Sequence, residues 1–122
     1  MNLGYIGTGT MGNPMVKALI EAGHAVTVHD VRRESATNLC EMGANWADDP
    51  RQLSETSEVV FTSLPGPVEA EHVLTDPETG ILTGIKPGST WVDTTTNSPT
   101  VIHKLADICK QRGIEMLDCP VS

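Results

Sequence analysis

Leu3-Gly4-Tyr5-Ile6-Gly7-Thr8-Gly9-Thr10-Met11-Gly12 decides the fold of this chain. A short apolar run, read as a strand, passes into a glycine turn, and the turn opens onto a helix-like stretch. In that stretch Met15, Leu19 and Ala22 share a stripe, Val16 and Ile20 lie beside it, and Gly23 marks the stop. Pro14 falls in the first helical turn, where its missing N–H costs nothing. Strand, glycine turn and helix in this order suit a dinucleotide pyrophosphate. Gly7 permits a tight turn, Gly9 lets the backbone approach the phosphates, and Gly12 lets helix and strand pack closely. The phosphates then face the unpaired N–H groups and the positive dipole end of the helix.

Ala25 to His29 reads as a second strand that ends on Asp30. An acidic residue there, roughly 20 residues past the glycines, is placed to accept hydrogen bonds from the adenosine ribose hydroxyls. The alternative is that Asp30 merely caps the next helix. Arg32 and Arg33 follow, and an arginine here can accommodate a 2′-phosphate, but the Asp30 carboxylate would repel that phosphate. We therefore expect NAD ahead of NADP, with Arg32 over the adenine or in solvent.

The rest of the chain alternates as a doubly wound fold should. Residues 33 to 42 read as a helix with Ala36, Leu39 and Cys40 inward, and Ala44 to Ala47 as an extended segment. Asp48 or Asp49 caps a short helix that begins at Pro50. Glu58 to Leu64 reads as a buried-type strand that ends at Pro65-Gly66-Pro67, and Val68 to Leu74 as a short helix. Thr75 to Gly88 reads as mostly connection. A strand over Thr90 to Asp93, a helix capped by Ser98 with Pro99 behind it and Gly113 at its end, and a strand over Ile114 to Leu117 complete the pattern. This alternation implies a parallel sheet with every strand's carboxyl end on one edge, where Gly7 to Gly12, Asp30, Leu64-Pro65, Thr94 to Thr96 and Ser122 would meet.

Composition narrows the function further. The 122 residues carry 8 Lys plus Arg against 16 Asp plus Glu, and a net charge of -8 gives no footprint for nucleic acid or an anionic membrane surface. No apolar run approaches the roughly 20 residues of a membrane span. The first strand starts near residue 2, so we expect no targeting peptide and a cytoplasmic location. Cys40, Cys109 and Cys119 have no CxxC spacing and read as reduced and structural. The four histidines, His24, His29, His72 and His103, show no metal-ligand spacing, so we expect no metal.

Tyr5-Ile6-Gly7-Thr8-Gly9-Thr10-Met11-Gly12-Asn13-Pro14-Met15 resembles the N-terminal signature of the β-hydroxyacid dehydrogenases, the group that contains 3-hydroxyisobutyrate dehydrogenase and tartronate semialdehyde reductase. Ser63-Leu64-Pro65, Lys86-Pro87-Gly88, Val92-Asp93-Thr94-Thr95-Thr96-Asn97-Ser98-Pro99 and Asp118-Cys119-Pro120-Val121-Ser122 agree in order. The resemblance covers essentially the whole chain, and the last segment looks like the hydroxyisobutyrate branch and unlike 6-phosphogluconate dehydrogenase. It implies a Rossmann-type α/β domain over residues 1 to 122, incomplete at its C-terminus and cut before the family's all-helical second domain. By the same resemblance Gly7, Thr8, Gly9, Thr10, Met11 and Gly12 hold the pyrophosphate, Asp30 the adenosine ribose, Leu64 and Pro65 the nicotinamide ribose side, and Thr96 the nicotinamide end. Ser122 matches the serine that holds the substrate carboxylate. The family's catalytic lysine falls beyond Ser122, so this chain alone is expected to be inactive, and Lys17, Lys86, Lys104 and Lys110 lie away from the motif positions. The implied whole protein is an NAD-dependent oxidoreductase, with NADP as the alternative cofactor, acting on a small 3-hydroxy acid and assembling as a homo-oligomer through the helical domain. A non-catalytic dinucleotide-binding module and an imine reductase are the competing readings. The sequence departs from the pattern in three places: Thr8 stands where leucine is usual, Val16 to Ala18 lack the usual small residue and asparagine, and Cys119 replaces a common alanine.

Overall fold

The computed structural model describes residues 1–95 and 98–119. Six parallel strands form one sheet in the order β3-β2-β1-β4-β5-β6: β1 is Asn2–Ile6, β2 Ala25–His29, β3 Asn45–Trp46, β4 Val59–Thr62, β5 Thr90–Asp93 and β6 Glu115–Asp118. β1 lies between β2 and β4, with Tyr5 opposite Val28 on one side and Phe61 on the other. This is the doubly wound Rossmann arrangement.

Two apolar layers follow from the alternation along these strands. On one face Leu3, Tyr5, Val26 and Val28 pack with Val16 of α1 (Gly12–Glu21) and with Ala36 and Leu39, the latter on α2 (Thr37–Glu41). On the other face Ile6, Val60 and Trp91 pack with Leu53 of α3 (Pro50–Glu55), Leu74 of α4 (Pro67–Thr75) and Leu105 and Cys109 of α5 (Pro99–Gln111). Ala22, expected on the buried stripe of α1, is exposed beyond its last turn.

Two readings of the sequence are corrected here. The helix expected over residues 33 to 42 is divided: a 3-10 turn, Arg33–Ala36, precedes α2, and the backbone at Ala36 (φ -106°, ψ 2°) leaves the helical region between them. The segment from Thr75 to Gly88 is more than connection. A 3-10 turn, Ile81–Thr83, buries Ile81 and Leu82 against the second face of the sheet.

Candidate functional site

The chain leaves β1 toward β2 on one side and later reaches β4 on the other. The carboxyl ends of β1 and β4 therefore splay around a crevice, the place where open parallel sheets bind ligands. A cleft of about 710 Å³ occupies it, lined by Gly7 and Gly9 of the loop, His29 to Val31 after β2, Ser63 to Pro65 after β4, and Val68, Glu69 and His72 of α4. A second hollow of about 320 Å³ continues past Leu64 and Pro65 to Thr10, Met11, Gly12, Thr94 and Thr95.

The three glycines have separate duties. Gly7 has φ +97°, and a Cβ there would run into the Ser63 carbonyl, so only glycine lets β1 turn this close to β4. A Cβ on Gly12 would strike the Gly7 carbonyl, the close approach of helix to strand that the spacing predicts. A Cβ on Gly9 would meet nothing within 4 Å and would project into open cleft. The N-terminus of α1 has no side-chain cap and no acidic residue in its first turn, whereas Asp49 caps α3 and Ser98 caps α5. Open N–H groups behind an unobstructed glycine fit a pyrophosphate. Asn13 fixes the loop from behind, donating to the Ser35 carbonyl at 3.1 Å and exchanging amide hydrogen bonds of 3.0 Å with Asn38 on α2.

Asp30 sits on the cleft wall, and its carboxylate is tied to the loop. Oδ2 accepts from the Thr8 N–H at 2.7 Å and from the Thr8 hydroxyl at 3.2 Å, and Oδ1 accepts from the Arg32 N–H at 2.9 Å. Asp30 is not the cap of the next helical turn, which Arg32 precedes without a side-chain cap bond; it organises the turn that follows β2 and lines the cleft. Thr8, assigned to the cofactor by its place in the motif, is only 1% exposed and lies behind the cleft wall. Arg32 is exposed and outside the cleft lining, where Val31 stands instead. The Arg33 guanidinium lies over the Trp46 ring at 5.3 Å.

The far end of the cleft rests on a buried polar network that the sequence reading did not assign. Asp93, fully buried at the end of β5, accepts from the Thr62 hydroxyl at 2.8 Å and from the Thr95 N–H at 3.0 Å. Trp91 Nε1 donates to the Thr62 hydroxyl at 3.0 Å. The Thr94 hydroxyl donates to the Thr62 carbonyl at 2.7 Å and so receives the Ser63 hydroxyl at 2.9 Å, while the Leu64 N–H donates to the Thr95 hydroxyl at 3.1 Å. Burial raises the pKa of the Tyr5 phenol, an effect partly offset by hydrogen bonds with Ser63 and Thr94. These bonds fix Leu64 and Thr95 relative to one another. An acidic residue at a strand end inside Val92 to Thr96 was the available signal for Asp93. Thr96 and Ser122 lie outside the described residues.

Among the cysteines, burial pushes the Cys109 thiol up to about 11, so it is a protonated core residue, and Cys119 is exposed. Lys104 bridges to Glu71 at 2.9 Å on the surface. Among the described residues, no helix is long and apolar enough to cross a membrane.

Fold and cleft together define a dinucleotide-binding Rossmann domain. The profile for the NAD-binding domain of 6-phosphogluconate dehydrogenase matches residues 2–122, and the chain belongs to that family. Its relatives include "Probable 3-hydroxyisobutyrate dehydrogenase-like 1, mitochondrial" of Arabidopsis thaliana, 42% identical over 120 residues, which cover 98% of this chain and 36% of that protein. A solved structure described as "Psf3 in complex with NADP+ and 2-OPP" superposes with a TM-score of 0.91 at 33% identity, covering 98% of this chain and 42% of that one. An imine reductase variant from Myxococcus stipitatus in complex with NAD+ gives 0.88 at 26% identity, covering 96% and 39%. The chain thus spans 36% to 42% of the length of these proteins.

Proposed function

We propose that this chain is the cofactor-binding part of an oxidoreductase that moves a hydride between NAD and a small 3-hydroxy acid. The observation that carries the proposal is Gly9, whose missing side chain leaves the cleft open between the uncapped end of α1 and the Asp30 carboxylate. In this reading Gly7, Gly9, Thr10, Met11 and Gly12 hold the pyrophosphate and Asp30 the adenosine ribose. Leu64 and Pro65, braced by Thr95, flank the nicotinamide ribose, and Thr96 lies at the nicotinamide end. A nicotinamide bound there would supply the hydride chemistry, while the protein orients and excludes water. Ser122 would hold the substrate carboxylate, and the proton acceptor would be a lysine in sequence following Ser122. The Arabidopsis relative's name supports the hydroxy-acid substrate. Homo-oligomerisation through a helical domain belongs to the same proposal.

Imine reduction is the second reading, favoured by the likeness to the Myxococcus enzyme. It differs in the acid that serves the substrate and leaves the cofactor site unchanged.

The test is a titration of the 122-residue chain with NADH, followed by NADH fluorescence, and an assay with 3-hydroxyisobutyrate and glycerate. Saturable NADH binding with no turnover is expected. No binding at millimolar NADH would overturn the cofactor assignment, and turnover by the chain alone would overturn the placement of the proton acceptor.

A further inference from the structure

We propose that Thr8 is a positioning residue for cofactor selection: its hydroxyl holds the Asp30 carboxylate at the cleft wall and thereby sets the preference for NAD over NADP. The proposal rests on Asp30 being the ribose contact. Thr8 is a polar side chain buried within the loop at 1% exposure, and a buried hydroxyl is costly unless it is hydrogen-bonded. Its partner is Asp30 Oδ2 at 3.2 Å, the same oxygen that receives the Thr8 N–H at 2.7 Å.

The consequence is directional. With one backbone donor on each oxygen, the Thr8 N–H on Oδ2 and the Arg32 N–H at 2.9 Å on Oδ1, the carboxylate keeps a limited freedom about its Cβ–Cγ bond, which is a soft torsion. The Thr8 hydroxyl, a second donor to Oδ2 approaching from a different angle, opposes that rotation. A carboxylate offers about four acceptor directions. Three are taken from the protein side, which leaves acceptor capacity toward the cleft that Asp30 lines. A ribose hydroxyl can use the direction that remains, whereas a 2′-phosphate meets a negative charge that cannot swing aside. The neighbouring basic groups do not relieve that repulsion in this structure, since Arg33 lies over Trp46 and Arg32 is outside the cleft lining. Leucine at position 8 would keep the N–H anchor and lose the hydroxyl.

The test compares dissociation constants for NADH and NADPH in wild type, Thr8→Val, Thr8→Ala, Thr8→Ser, Asp30→Ala and the Thr8→Val/Asp30→Ala double variant, each checked for folding by thermal melting. Wild type should prefer NADH. Thr8→Val and Thr8→Ala should each lower the NADH-over-NADPH ratio by about threefold or more, Thr8→Ser should keep it, and Thr8→Val should change it by less than about twofold once Asp30 is alanine. If Thr8→Val is unfolded, the comparison of Thr8→Ala with Thr8→Ser carries the same decision. An unchanged ratio in the hydroxyl-free variants, equal loss in Thr8→Ser, or an undiminished effect in the Asp30→Ala background would each overturn the proposal. Failure of wild type to bind either dinucleotide would instead overturn the reading of the whole cleft, and this proposal with it.

Discussion

Thr62 has one hydroxyl proton and uses it on Asp93, while its oxygen receives the indole N–H of Trp91. All three residues are fully buried, so none of these groups has bulk water as an alternative partner. Thr62→Val keeps the shape and removes both bonds. It leaves the Trp91 N–H without the acceptor it has here, and a buried donor without a partner costs about 1 to 3 kcal/mol. We expect that loss in urea unfolding, accompanied by a change in the Trp91 fluorescence, and Thr62→Ser should recover most of it. Equal stability of Thr62→Val and wild type would show that the network does not brace the end of β4. The network was hidden in the sequence for a physical reason. Thr62 and Asp93 are separated by 31 residues, and only the parallel register that places them opposite one another makes them partners.

Local chemistry, by contrast, was legible wherever a few neighbouring residues settle the matter. The helix caps are the clearest case. Asp49 accepts from the Gln52 N–H at 2.7 Å and Ser98 from the Val101 N–H at 3.3 Å, each with proline at the start of its helix. The sequence offered Asp48 and Asp49 as equivalent caps for α3. The structure chooses Asp49, whose extended backbone (φ -153°, ψ 167°) is that of an N-cap, and turns Asp48 toward the Trp46 indole N–H at 3.1 Å. Asp49→Ala should therefore cost about 1 kcal/mol in denaturant unfolding without ligand, and Asp48→Ala clearly less. The reverse order would mean that the cap is misassigned. The same local reasoning failed between Thr75 and Gly88, where Asp76-Pro77, Gly80, Gly84 and Pro87-Gly88 signal turns so strongly that the burial of Ile81 and Leu82 between them was masked. The glycine turn, the place of Asp30 at a strand end and the alternation of strands with helices come from short-range pattern, whereas the support beneath Leu64 and Thr95 comes from pairing across the sheet.

At the scale of the whole molecule, binding and folding draw on different parts of the structure, and Gly9 separates them. The two apolar layers lie on the faces of the sheet, and Gly9 belongs to neither, standing exposed at the carboxyl edge. A side chain there meets no protein atom within 4 Å, and the backbone is not in the left-handed region that would demand glycine. Gly9→Val should thus keep its ligand-free melting temperature close to that of wild type. The valine would nevertheless stand in the space through which a pyrophosphate must approach the α1 N–H groups. A ligand that binds only the folded state stabilises it by about 2.7 kcal/mol at 100 times its dissociation constant, a rise on the order of 10 °C for a domain of this size. Wild type should show that rise with saturating NADH, and Gly9→Val should show none. Equal stabilisation of the two proteins would place the dinucleotide elsewhere. Unfolding of Gly9→Val without ligand would overturn the separation itself, since Gly9 would then be part of what holds the loop between β1 and α1 together.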